Sequence, residues 1–149
     1  MEKDVIFVSK DTVSIATDKM QLRNLRANAL RLGEDELAKA CLRRLIQLAG
    51  EGQDTALARW VNEAIGAYEE MLYQSKGRLL RASHARRKLA NKGAHQALIE
   101  WIKSRHKSAG FDMLLAKGLD HYTMEAIIED FPDEFDETIL KAAQKKLYG

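Results

Sequence analysis

The apolar stripe within residues 57–72 constrains this chain most. Leu57, Trp60, Val61, Ala64, Ile65, Tyr68 and Leu72 recur at three- and four-residue steps. That period lines one side of an α-helix and matches neither face of a strand. Asp54 serves as the N-cap and Gly77 as the stop, so the helix runs to about residue 75. At about 1.5 Å per residue it spans roughly 30 Å, the width of a small domain. A helix this long, with so wide a stripe, needs packing partners along its length. Glu63, Glu69 and Glu70 are assigned to its polar side.

The flanking segments share the helical period. Asp18 precedes Leu22, Leu25, Ala29 and Leu32, and Gly33 ends that run. Leu37, Ala38, Cys41, Leu42, Leu45 and Ile46 follow, stopped by Gly50 and Gly52, so the two form an antiparallel helical hairpin. Beyond the central helix, Ser83 caps a segment at 84–92 that ends at Gly93. Residues 94–105 carry Ala94, Ala97, Leu98, Trp101 and Ile102 inward. Ser108, Thr123 and Asp136 cap three further helices, the last with Ile139, Leu140, Ala143 and Leu147 on its buried side. Only one proline, Pro132, interrupts the chain, which favours helices with glycine stops over a series of tight β-turns. Residues 5–8 and 12–15 are the exception. They are β-branched and aromatic, and predict a small hairpin or extended arm. The expectation is an all-α fold. One compact domain over 1–149 has six to eight helices, with a β arm at 1–17 and a helical body at 18–149. No segment recurs at a fixed period, which excludes a repeat array.

Cys41 stands alone, so there is neither an internal disulfide nor a zinc–thiolate cluster, and a reducing cytoplasm is the expected compartment. The start, Met1-Glu2-Lys3-Asp4, is acidic where a signal peptide is basic. No run approaches the roughly 20 apolar residues that cross a bilayer, so no membrane partner is expected.

Charge is sorted along the chain. Residues 76–107 hold Lys76, Arg78, Arg81, Arg86, Arg87, Lys88, Lys92, Lys103, Arg105 and Lys107 against a single acid, Glu100, a net of +9. The whole chain is +2, so the remainder carries −7, of which −5 lies in residues 108–149. Sorted charge bears on partners rather than on fold. His84, Arg87, Lys88 and Asn91 stand at i, i+3, i+4 and i+7, so they share one helix face. Arg78, Arg81, His84, Arg86, Arg87, Lys88, Lys92 and Lys103 are the candidate phosphate contacts. The competing reading is a solvated face paired with the acidic C-terminal region.

Other motifs are weaker. A helix-turn-helix centred on Gly93 fits only in part, because Lys88 and Lys92 fall where that motif wants apolar residues. His84, His95 and His106 repeat every eleven residues, but Gly93 interrupts the helix that would align them. Glu63, Glu69 and Glu70 beside Lys76, Arg78 and Arg81 admit a metal-dependent nuclease, and equally ordinary helix-surface ion pairs. No serine or cysteine nucleophile motif and no phosphate-cradling glycine loop occurs, and no catalytic residue, metal or cofactor is assigned.

The string AYEEMLYQSKGRLLRASHARRKLANKG at 67–93, with GFDMLLAKGL at 110–119 and FPDEF at 131–135, resembles a helical domain found in uncharacterised bacterial proteins. Gly77, Arg78, Arg81, Ala82, Ser83, Arg86 and Gly93 carry the resemblance, which covers about residues 60–147. It implies that the basic segment belongs to the design of the domain, and it transfers no activity. The leading expectation is a non-enzymatic protein that contacts the backbone of nucleic acid, DNA ahead of RNA. A module meeting an acidic protein surface or a second copy of the chain is the alternative. A metal-dependent nucleic-acid enzyme ranks third.

Overall fold

The computed structural model describes residues 10–149, and every described element is helical. The chain divides into two compact units, one ending at Ala49 and one spanning Gly50–Gly149.

The first unit contains α1 (Lys10–Ser14), α2 (Lys19–Arg31) and most of α3 (Asp35–Gly50). Asp18 begins α2 by accepting the Gln21 N–H at 3.1 Å. At the other end, Glu34 N–H reaches the Ala29 carbonyl and Gly33 N–H reaches that of Leu30, the paired bonds of a Schellman stop. Leu22, Ala29, Leu37, Ala38, Cys41 and Leu45 meet in one apolar cluster with Val13. Residues 12–15, expected as a strand, instead end a helical turn. Val13 is only 2% exposed, and its burial against α2 and α3 overrides the weak strand preference of a β-branched residue. Arg44 Nε–H fixes the turn by donating to the Ala16 carbonyl at 2.7 Å. The other expected strand, 5–8, lies outside the described residues.

The second unit is built on α4 (Ala56–Lys76), the long helix that the apolar stripe implies. Its N-cap is Thr55 rather than Asp54: Thr55 Oγ1 accepts the Ala58 N–H at 3.0 Å. Then come α5 (Ser83–Lys92), α6 (Ala94–Lys103), α7 (Phe111–Ala116), a 3₁₀ turn at Asp120–Tyr122, α8 (Met124–Asp130), a second 3₁₀ turn at Pro132–Glu134, and α9 (Glu137–Tyr148). Nine α-helices therefore stand among the described residues, one more than the upper expectation; the addition is α1. The core joins Leu57, Val61 and Ile65 of α4 to Leu98 and Ile102 of α6, Ile127 and Ile128 of α8, and Ile139 of α9. Thr123 and Asp136 cap α8 and α9 as their sequence positions imply. Among the described residues, no helix is long and apolar enough to cross a membrane.

Candidate nucleic-acid interface

The basic region begins at a buried carboxylate. Glu69 lies one helical turn after Ile65 on α4 and is only 5% exposed; Glu70 is buried as well. Their assignment to a polar face does not hold. Ile65, Glu69 and Leu72 follow the same i, i+4, i+7 spacing as the apolar stripe, so Glu69 turns inward. Glu69 Oε2 accepts the Ala82 N–H at 2.8 Å and the Arg86 Nε–H at 2.7 Å, and Oε1 accepts from Arg86 Nη2. The first bond also corrects the expected Ser83 cap: Ala82 is the N-cap of α5, with no side-chain cap of its own, and a carboxylate from α4 takes its N–H. Burial alone raises the Glu69 carboxyl. The Arg86 bond, the Ala82 N–H and the charges of Arg86 and Arg81 outweigh that and hold it below the ordinary carboxylate range. Arg86 is thereby a clamp between α4 and α5.

The remaining cations divide into paired and open groups. Lys88 Nζ lies 3.1 Å from Glu100 Oε1, and Lys92 Nζ lies 3.9 Å from Glu100 Oε2, tying α5 to α6. Gln96 also donates to Glu100, and these contacts, the Lys88 bond foremost, hold its carboxyl low. Arg78 and Arg81 on the α4–α5 connection, Arg87 on α5, and Lys103 at the end of α6 are exposed. His84, Arg87, Lys88 and Asn91 do share a face: with Lys92 and Trp101 they line one shallow groove of about 480 Å³.

Among the described residues, no ion pair joins a carboxylate of 108–149 to a cation of 76–107. Three acids of that region are engaged elsewhere. Glu125 accepts from Ser108 N–H and Oγ–H at 2.8 and 2.7 Å, Glu129 accepts from the Tyr148 hydroxyl at 2.7 Å, and Asp136 caps α9. Ser108 was expected to cap a helix; its bonds go to buried Glu125 instead, and α7 starts later, at Phe111.

Beside the groove a cavity of about 450 Å³ opens into the unit. Tyr68 and Leu72 of α4, Trp101 of α6, Leu114 of α7, Tyr122 and Met124 form its apolar walls. Arg81, His84, His106 and Lys107 stand among its polar lining. Its 104–109 wall is anchored by the two Ser108–Glu125 bonds and by Lys146 Nζ, which donates to the His106 carbonyl at 2.8 Å. Gly110 lets that wall press on α4: its φ is +77°, and a Cβ there would overlap the Tyr68 ring. His84 and Trp101 line both the groove and the cavity.

Sequence spacing groups the helix face that lines most of the groove, but not the groove itself. It missed the cavity, whose walls come from segments far apart in the chain. Among the described residues, no three His, Cys, Asp or Glu side chains converge as a metal-ligand group, and His95 instead stacks on Phe135 at 4.9 Å. No family model, no curated protein and no solved structure matches this chain.

Proposed function

We propose that the second unit binds nucleic acid by contacting its phosphate backbone through the basic surface of α5 and the connection before it. The observation that carries this reading is the openness of Arg78 and Arg87, exposed cations with no carboxylate partner among the described residues, in a chain with 22 acids. Had the surface been a solvated face paired with the C-terminal region, these arginines would have taken its carboxylates. Arg81, in the lining of the adjoining cavity, extends the surface, while Lys88 and Lys92 line the groove and can lean toward a phosphate. Arg86 supports the reading only indirectly, by fixing α5.

The test is a titration of a short labelled DNA across about 50 to 200 mM salt, with and without Arg78→Ala and Arg87→Ala. Log affinity should fall linearly with log salt, and each lost phosphate contact should reduce the slope by about 0.7 to 0.9. Equal slopes for wild type and double variant contradict this assignment of contacts. An acidic protein surface is the second reading. It draws on Leu79, which is 39% exposed beside Arg78, since an apolar contact among cations also suits a folded partner. Light scattering and pull-down against acidic partners separate the two.

A further inference from the structure

We infer that the cavity beside the basic groove receives an unstacked base, so that the ligand class is single-stranded rather than duplex nucleic acid. This rests on the phosphate-binding reading above and adds to it.

Two features argue for it together. The groove and the cavity are contiguous, since His84 and Trp101 belong to both. A strand whose phosphates lie along Arg87, Lys88 and Lys92 therefore has an apolar recess directly at its side. Groove and recess also differ in chemistry as backbone and base differ. The groove is lined by four basic or imidazole side chains, Asn91 and Trp101. The recess is walled by Tyr68, Trp101 and Tyr122, with Leu72, Leu114 and Met124 between them. Single-strand binding combines these two elements, a cationic track and aromatic or apolar platforms beside it. A duplex keeps its bases stacked inside and has none to offer the recess. The cavity, at about 450 Å³, falls within the roughly 300–1,000 Å³ range of small-ligand sites and admits a ring system. Arg81 and Lys107 at its lining add cations for the phosphate that follows the inserted base.

The recess is also prepared before any ligand arrives. Glu69 holds Arg86 and Ala82, which sets the start of α5 against α4. Ser108 and Lys146 anchor the opposite wall. A preformed site loses little to ordering on binding.

The experiment uses the intact wild-type chain and changes the ligand. A fluorescent single-stranded DNA of about ten nucleotides, within the site sizes such proteins cover, is compared with two controls at one salt concentration. One control is the same strand annealed to its complement. The other is the same strand with abasic residues, which keeps every phosphate and removes the bases. The intact single strand should bind more tightly than the abasic strand by about 5- to 150-fold, the range that stacking of one base supplies, and more tightly than the duplex. Equal affinity for all three overturns the insertion of a base while leaving the phosphate reading intact. Tighter binding of the duplex overturns it as well. No binding of any of the three at low salt overturns both.

Discussion

Replacing Glu69 with alanine tests the joint on which the whole surface depends. Three donors converge on this carboxylate: the Ala82 N–H, and the Nε and Nη2 of Arg86. The Glu69 side chain is 7% exposed and that of Arg86 32%, so the pair is shielded on one side and partly wet on the other. Removing one member of a fully buried pair costs about 3–5 kcal/mol. Partial solvation of Arg86 lowers that figure, while the stranded Ala82 N–H adds a penalty, and about 3 kcal/mol is the resulting expectation. For a chain near 150 residues that corresponds to a fall in Tm of roughly 6–12 °C, read by circular dichroism. The pH dependence is set by the same carboxyl. Its folded value lies below its unfolded one, so the pair stabilises fully above the ordinary glutamate value of about 4.3. That stability is lost as pH falls through the depressed folded value. Glu69→Gln should therefore flatten the acid limb of the stability profile as well as lower the plateau. A loss below about 1 kcal/mol, the level of an exposed ion pair, with an unchanged acid limb refutes the reasoning.

Other consequences are as direct. Gly110→Ala places a side chain at positive φ and against the Tyr68 ring, and should cost about 3 kcal/mol in urea unfolding. Gly118→Ala shares the positive φ but meets nothing within 4 Å, and should cost only about 1–2 kcal/mol. Cys41 is fully buried and its thiol is pushed up to about 11, mainly by burial and against the pull of Arg26. It should resist a thiol reagent at pH 8 and react on addition of denaturant. Arg78→Ala with Arg87→Ala should move stability by less than about 0.5 kcal/mol, because exposed side chains without partners contribute little to folding; a large loss means that they hold structure instead.

The fold was legible where one short-range rule decided the outcome. The stripe on α4 is a strong period over about four turns, and Thr123 and Asp136 announce their helices by capping chemistry alone. Legibility failed where tertiary contacts outvote local preference. Val13 is β-branched, yet its place in the first unit's cluster makes it helical. Ser83 has the side chain of a cap, yet a carboxylate thirteen residues back along the chain takes the N–H at the start of α5. Glu69 was misassigned although its spacing from Ile65 and Leu72 was available, because a glutamate at such a position is ordinarily written off as surface. The candidate surface was similarly half visible. A helix face follows from spacing, so His84, Arg87, Lys88 and Asn91 could be grouped in advance. Which cations are paired depends on partners in other elements: Arg86 with buried Glu69, and Lys88 and Lys92, still partly exposed, with Glu100. The cavity could not be read at all, because its walls meet only after α4, α6 and α7 have packed.

The central claim is that open cations on and before α5 hold phosphate. Binding of a short single-stranded DNA between about 50 and 200 mM salt tests it most directly. The account predicts affinity that falls by orders of magnitude over that range, with a slope reduced by about 1.4 when Arg78 and Arg87 are both replaced by alanine. Absence of binding at the lowest salt, in a protein shown to be folded, contradicts it.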